Sequence, residues 1–169
     1  MENISNATRA FVLVREFNAP RELFFNVCTQ PEHLIKWWGP KDSKLNAKTI
    51  DIREGGKFHY EFTYSNGPTL WGLLSYIEIT PYDRIVFTTS FADEKTNPVK
   101  APMAAGFPLV IKNTWTLAEK NGKTTLTMEV VPVDASPNEV EFFAGMFGSM
   151  EQGNNGMLDQ LDDYLTTLK

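Results

Sequence analysis

The sequence is poor in cysteine, in histidine and in long apolar stretches. Cys28 is its only cysteine, which excludes an intramolecular disulfide and a zinc site built from cysteines. A lone cysteine is typical of a reducing compartment, so we expect the protein in the cytoplasm. The first residues lack the apolar core of a secretory signal, and no stretch reaches the roughly 20 apolar residues of a membrane span. We therefore expect no membrane association.

Basic charge and catalytic motifs are also scarce. The sequence has 16 lysine and arginine residues against 21 aspartate and glutamate residues, which gives a net charge of -5. Nucleic acids are held through clustered basic residues, so this balance predicts no nucleic-acid partner. No nucleophile elbow, phosphate loop, dinucleotide fingerprint or zinc-binding histidine pair occurs. We accordingly predict no cofactor and no metal, and we name no catalytic residue.

Aromatic and apolar side chains, by contrast, are plentiful. Of the 169 residues, 42% are hydrophobic, and they include 12 Phe, 5 Tyr and 4 Trp. This length and composition predict one domain over residues 1–169 with an aromatic core, of which residues 1–7 form a flexible leader. Cys28 falls late in a predicted helix, where we expect a buried structural thiol rather than a nucleophile.

The order of elements predicts an α+β fold with an antiparallel sheet. Strands are predicted over residues 8–17, 45–53, 57–64, 69–79, 84–91, 109–117 and 123–131. Helices are predicted over residues 21–28, 32–38 and 137–168. Short turns such as Asn121-Gly122 join the strands, as is typical of an antiparallel meander. Residues 92–107 form a longer loop with two prolines, which is either a flap over a cavity or a mobile surface loop.

The C-terminal helix is predicted to begin after a cap at Ser136 or Asn138 and to lie on the sheet. Helical spacing gathers apolar side chains on one side, namely Phe143, Phe147, Met150, Met157, Leu158, Leu161, Leu165 and Leu168. Asp159, Asp162 and Asp163 fall on the opposite side. Because no histidine is near them, they indicate a solvated face rather than a metal site.

Strand alternation predicts an aromatic wall on the inward face of the sheet. One face of residues 57–64 carries Phe58, Tyr60, Phe62 and Tyr64. His59 and Glu61 fall on the other face, which we expect to be solvated. Further inward positions are Ile85, Phe87, Thr89, Phe91, Ile111, Asn113, Trp115 and Leu117. Aromatic rings fill ordinary cores as well as line cavities, so both interpretations stay open.

Two amides fall among these apolar positions. Asn113 lies on a strand, and Asn154 lies in the stripe of the last helix between Gly153 and Gly156. A buried amide needs a hydrogen-bond partner, which could be Tyr60, a water molecule or a ligand. The two glycines indicate a kink, close packing or room for a ligand.

Several motifs occur in an order that resembles a known family. They are Phe17-Asn18-Ala19-Pro20, Trp37-Trp38-Gly39-Pro40, residues 51–58, Trp71-Gly72 followed by residues 77–88, and Gly156-Met157. This order resembles the AHSA1-like branch, related to the Hsp90 ATPase activator, of the START-like or SRPBCC superfamily. The resemblance implies the helix-grip fold, β-α-α-β6-α, with a hydrophobic cavity between the sheet and the last helix. Met157 stands where the family leads us to expect tryptophan, which predicts a more deformable cavity.

The leading hypothesis is noncatalytic binding of a hydrophobic or aromatic small molecule by a monomer or homodimer. The candidate ligand-binding residues are Phe58, Tyr60, Phe62, Trp71, Phe87, Asn113, Trp115, Met150, Asn154 and Met157. A second hypothesis is a chaperone-interaction module, although one domain leaves no room for the further N-terminal domain of the Hsp90 activator. A third is a cyclase- or aromatase-like enzyme in which Tyr60 or Glu61 moves a proton. His33, in a short helix, is expected at the surface.

Overall fold

The computed structural model describes residues 9–168, so the predicted leader over residues 1–7 lies outside the described residues. The strands are β1 Phe11–Phe17, β2 Ser43–Ile50, β3 Lys57–Tyr64, β4 Thr69–Thr80, β5 Arg84–Ala92, β6 Pro98–Val99, β7 Val110–Lys120 and β8 Lys123–Val133. The helices are α1 Arg21–Thr29, α2 Pro31–Leu34, α3 Pro137–Gly145 and α4 Phe147–Thr166.

The strands form one antiparallel sheet in the order β1-β8-β7-β5-β4-β3-β2, and the short strand β6 pairs with β5. The sheet wraps around α4, which is the predicted helix-grip fold. The hairpin between β7 and β8 turns at Asn121 and Gly122, whose φ angles are 55° and 75°. Two consecutive residues with positive φ make the tight turn that matches the natural twist of a hairpin, as the Asn-Gly sequence predicts.

The predicted single helix over residues 137–168 is interrupted in the structure. Its start is as expected, because Ser136 Oγ accepts from the Glu139 backbone N–H and the Glu139 carboxylate accepts from the Ser136 N–H. Met146 then leaves the helical conformation, with φ -97° and ψ 4°. Glycines on either side of Met146, at Gly145 and Gly148, weaken helical order there. The prediction of one continuous helix was therefore wrong, and the structure has two helices, α3 and α4, on either side of Met146.

Two smaller boundaries also differ from the prediction. The helix predicted over residues 32–38 ends as α2 at Leu34 and continues as hydrogen-bonded turns, in which the Trp37 and Trp38 N–H groups donate to the Leu34 carbonyl. Strand β6 lies inside the segment predicted as an irregular loop, because Val99 pairs with Phe91 of β5.

The apolar side of α4 provides much of the core. Met157, Leu158, Leu161 and Leu165 are buried together with Phe143 of α3. Leu168, which the periodicity assigned to the same side, is 37% exposed because it follows the end of the helix. Within residues 9–168, no helix is both long and apolar enough to cross a membrane.

The polar side of α4 is bound to the first strand. The Arg15 guanidinium on β1 lies 2.8 Å from an Asp159 carboxylate oxygen, 3.8 Å from Asp162 and 3.1 Å from the Asn155 side-chain oxygen. Two of the three predicted surface aspartates therefore pair with an arginine. Across the described residues, no three acidic, histidine or cysteine side chains are grouped as a metal site requires.

Candidate ligand cavity

A cavity of about 360 Å³ lies between the concave face of the sheet and α4. Residues that the sequence predicted for a ligand site, and that line this cavity, are Tyr60, Asn113, Trp115, Met150, Asn154 and Met157. Further lining residues are Trp38, Pro40, Tyr64, Thr89, Ile111 and Gly153. Strand alternation had predicted that Tyr64, Thr89 and Ile111 face inward. Nothing in the sequence beyond the family motif indicated that Trp38 and Pro40 line the cavity.

A second cavity of about 220 Å³ adjoins the first. It shares Tyr60, Thr89 and Ile111 with the larger cavity, and Phe62 and Phe91 extend its floor along the sheet. Its roof comes from the long loop before β7, through Ala101, Phe107, Pro108 and Leu109. We call residues 100–109 the flap. The flap interpretation of this loop therefore describes the structure better than a free surface loop does.

The flap is held against α3 by both charge and aromatic packing. Lys100 forms an ion pair with Glu139 and donates a second hydrogen bond of 2.9 Å to the Phe107 carbonyl. The ring of Phe107 lies 5.6 Å from that of Phe143. Gly106 approaches α3 so closely that an added Cβ would lie 2.6 Å from the ring of Phe142. The smaller cavity is consequently covered by a segment that is bound to α3.

Replacing Glu139 with glutamine should loosen the flap while preserving the cap of α3, because glutamine can also complete a capping box. We expect the flap amides of Ala104 and Phe107 to exchange hydrogen about two to five times faster, as for loss of an exposed ion pair. Hydrogen exchange followed by mass spectrometry measures this. Glu16→Gln, which removes an exposed pair with Lys123 on another part of the surface, is the control and should leave flap exchange unchanged.

The effect of Glu139→Gln on hydrogen exchange in the flap should depend on pH. The hydrogen bond from Lys100 holds the pKa of Glu139 below its usual range. A lowered carboxyl pKa means that the ion pair stabilises the folded flap above the usual pKa and is lost as the pH falls through the lowered one. The difference in exchange between wild type and Glu139→Gln should therefore disappear at acidic pH. An undiminished difference in acid would contradict the role of this ion pair.

Tyr60 lies flat across the sheet at the junction of the two cavities. Its partner in the register of β4 is Gly72, and a Cβ added to Gly72 would lie 2.5 Å from the Tyr60 hydroxyl oxygen. Burial raises the pKa of Tyr60 to about 12. The phenol is therefore protonated at neutral pH and can donate a hydrogen bond to whatever occupies the cavity.

Buried Asn113 and half-buried Asn154 both find hydrogen-bond partners within the protein. Asn113 Nδ2 donates to Thr89 Oγ1 at 3.3 Å, and Asn154 Nδ2 donates to the Met150 carbonyl of its own helix at 2.8 Å. Neither pairs with Tyr60, which was one of the partners considered from the sequence. Each amide still presents its carbonyl oxygen, since only its N–H group is used in these bonds.

Some predicted ligand residues do not line the two cavities. Phe58 is fully buried in the core, with its ring 4.8 Å from that of Tyr60. Phe87 packs 5.6 Å from Trp115 and borders only a void of about 10 Å³ beneath it. Trp71 lies on the convex face of the sheet, because its neighbour Gly72 faces the cavity. The prediction that placed Trp71 in the ligand site was wrong for that reason.

The convex face carries the other polar residues that sequence reasoning considered. His59 is only 3% exposed, contrary to the expectation of a solvated side chain, because Trp71 stacks on it at 4.8 Å and its Nε2 lies 2.9 Å from the Asp93 carbonyl oxygen. Glu61 points to the same face, 3.4 Å from Lys48 Nζ. The Glu61 carboxylate therefore lies on the opposite face of the sheet from the cavity, where it cannot transfer a proton to a molecule bound there.

Cys28 and His33, the two remaining side chains that could take part in a reaction, both lie in packed surroundings away from the cavities. Cys28 is buried, and burial raises the pKa of its thiol far above the usual range, in agreement with a structural role. His33 was expected at the surface but is half-buried, because its Nδ1 lies 2.7 Å from the Tyr164 hydroxyl of α4. Both residues thus contribute to packing between the first helices and the rest of the fold.

Comparison with known proteins agrees with this geometry. Residues 18–166 match the family described as activator of Hsp90 ATPase homolog 1-like protein. The chain belongs to that family. No curated protein matched the sequence in a separate comparison.

Solved structures of similar chains show the same fold. The crystal structure of protein Ms6760 from Mycobacterium smegmatis is 26% identical over 94% of this chain and 91% of that one, with a TM-score of 0.75. A protein from Arthrobacter aurescens, solved by NMR, is 25% identical over 96% and 88% of the two chains, with a TM-score of 0.79. The AHSA1 protein of Silicibacter pomeroyi, at 17% identity and a TM-score of 0.71 over 95% and 99%, is similar in fold.

Proposed function

We propose that the protein binds a hydrophobic or aromatic small molecule in the cavity between the sheet and α4. The observation that carries this proposal is the cavity of about 360 Å³, lined by aromatic and aliphatic side chains with a few amide and hydroxyl groups among them. Ligand sites in proteins are concave, mostly apolar and supplied with a small number of placed polar groups, and their volumes begin at about 300 Å³. Membership in a family with a START-like fold supports the same reading.

The direct test is whether purified protein retains or binds an apolar molecule. Native mass spectrometry of the freshly purified chain should show a stoichiometric adduct that is released on denaturation. In parallel, N-phenyl-1-naphthylamine, an uncharged dye that fluoresces in apolar surroundings, should bind with saturation at one site. A clean mass together with no saturable dye fluorescence would argue against the proposal.

Two glycines of α4 allow a matched pair of variants. Gly153 lies three residues after Met150 and four before Met157 and lines the larger cavity, whereas Gly148 does not line it. A Cβ added at either glycine meets no atom within 4 Å. Both leucine variants should therefore fold, and both gain from the loss of a helical glycine.

Gly153→Leu should weaken dye binding at least about tenfold because its side chain fills space that the ligand needs, whereas Gly148→Leu should leave affinity within about twofold. Fluorescence titration gives both dissociation constants, and thermal unfolding checks that the two variants are folded. Equal affinities for Gly153→Leu, Gly148→Leu and wild type would show that the dye binds elsewhere.

A further inference from the structure

The Asn113 side chain on β7 is a buried amide of which only one end is paired. Asn113 is 7% exposed, and its Nδ2 donates to Thr89 Oγ1 on β5 at 3.3 Å. Its direct neighbours on the adjacent strands are Phe87 and Val130, whose side chains form no hydrogen bonds. Among residues 9–168, no group donates to the Asn113 side-chain oxygen. An amide oxygen is a hydrogen-bond acceptor in its own right, so this acceptor is left over.

The free oxygen of Asn113 is accessible from the cavity. Within the part of the chain that the structure describes, one unpaired side-chain nitrogen or oxygen is fully enclosed by protein, and it is the indole nitrogen of Trp115. The Asn113 oxygen is unpaired without being enclosed in this way, so it retains surface that another molecule can contact. Because Asn113 is buried from the outside and lines the larger cavity, that surface faces the cavity.

Asn113 and Thr89 together offer one acceptor and one donor to the cavity. Thr89 Oγ1 receives the Asn113 N–H, which leaves the threonine hydroxyl hydrogen available, and Thr89 lines both cavities. If the amide is reversed, the threonine donates to the Asn113 oxygen and the amide N–H is available instead. Either orientation presents a donor next to an acceptor. A hydroxyl group, which both donates and accepts, is a single group that satisfies the two.

The charge of the cavity walls narrows the occupant further. Among the described residues, neither cavity is lined by a lysine, arginine, histidine, aspartate or glutamate. The polar lining consists of hydroxyl and amide groups, namely Tyr60, Tyr64, Thr89, Ser90, Asn113 and Asn154. A charged group that enters such a site loses its hydration without gaining an opposite charge, which is unfavourable.

We infer that the ligand of this cavity is an uncharged, largely apolar alcohol or phenol whose hydroxyl group donates to the Asn113 amide oxygen and accepts from the Thr89 hydroxyl. This inference rests on the proposed function and adds the ligand's chemical class. Fatty-acid carboxylates, phosphates, amines and plain hydrocarbons fall outside that class. An occupant without a donor covers the Asn113 oxygen and leaves it unpaired, which weakens binding.

Four compounds of one ring skeleton test the inference: fluorene, which has no hydrogen-bonding group; 2-hydroxyfluorene, which donates and accepts; 2-methoxyfluorene, which only accepts; and fluorene-2-carboxylate, which is charged. Each is titrated against the protein loaded with N-phenyl-1-naphthylamine, and displacement gives the affinity. We expect 2-hydroxyfluorene to bind about five to ten times more tightly than 2-methoxyfluorene or fluorene, the range for one hydrogen bond to an otherwise unpaired group. The carboxylate should bind most weakly.

Asn113→Leu isolates the contribution of the amide, because leucine has nearly the same shape but no hydrogen-bonding group. In this variant the affinities for 2-hydroxyfluorene and 2-methoxyfluorene should become equal within about twofold. Gln152→Leu is the matched control, since it removes an exposed amide of α4 that lines neither cavity, and it should keep the full preference for the hydroxyl compound. Should Asn113→Leu fail to fold, Thr89→Val removes the other half of the pair at constant shape and should lower the preference at least about twofold.

The outcomes separate the inference from the proposed function. Equal displacement by 2-hydroxyfluorene and 2-methoxyfluorene, strongest displacement by the carboxylate, or a preference for the hydroxyl compound that survives Asn113→Leu would each overturn the assignment of the ligand class while leaving cavity binding intact. Absence of dye binding to the wild-type protein would remove both.

Discussion

Replacement of Gly72 with alanine is expected to lower the free energy of unfolding by about 3 kcal/mol, at the upper end for an overpacked site. The added methyl group would lie within 2.4 to 2.8 Å of the hydroxyl and ring of Tyr60, which rests directly on β4. The ring cannot move toward the sheet, so it must turn into the cavities that it separates. Urea denaturation measures the loss in stability, and dye titration should show weaker binding because the displaced ring occupies ligand space.

Two further variants test whether the loss of stability in Gly72→Ala comes from the contact with Tyr60. Gly153→Ala, at a position with no atom within 4 Å of the added Cβ, should raise stability by about 0.5 to 1 kcal/mol through helix propensity. In a protein that already carries Tyr60→Leu, the cost of Gly72→Ala should fall by more than half, because the obstructing ring is gone. A cost that does not depend on the residue at position 60 would mean that Gly72 is required for another reason.

Leu161→Ala should lower the free energy of unfolding by about 3 kcal/mol, within the range of about 2 to 5 kcal/mol for leucine in a well-packed core. Leu161 is fully buried in α4 where the helix meets the sheet, and the surrounding strands leave little freedom for the site to collapse. The matched control is Leu168→Ala, which removes the same atoms from a side chain that is 37% exposed and should cost under about 0.5 kcal/mol. Similar costs for the two variants would show that α4 does not anchor the core.

The fold could be predicted from the sequence largely because local signals agree with one another. Alternation along residues 57–64 and the Asn121-Gly122 turn fix the direction and facing of strands without knowledge of distant contacts. The break at Met146 could not be predicted in this way. It allows Phe143 and Phe147 to pack on each other and on Phe107 and Phe11, and those contacts join segments far apart in the sequence.

Cavity residues whose facing follows from alternation within their own strand were predicted correctly. Residues whose facing depends on the register with a neighbouring strand were not. Asn113 and Trp115 face the cavity because alternation within one strand decides their side. Trp71 was misplaced because the facing of β4 follows from its register with β3, where Gly72 rather than Trp71 lies opposite Tyr60. The burial of His59 had no local signal, since the carbonyl that contacts it belongs to Asp93 after β5.

The bond between β1 and α4 has a consequence for how the chain reaches its native state. The earliest strand pairs with β8, the last one, and its Arg15 binds the side of α4. Pairing of β1 with β8 closes a loop that contains every other strand, and the entropy of that closure is lost before the new contacts compensate for it. Such non-local pairing is characteristic of domains that fold in milliseconds to seconds rather than microseconds. Until α4 is in place the aromatic wall lacks its covering helix, and transiently exposed apolar surface of this kind favours aggregation.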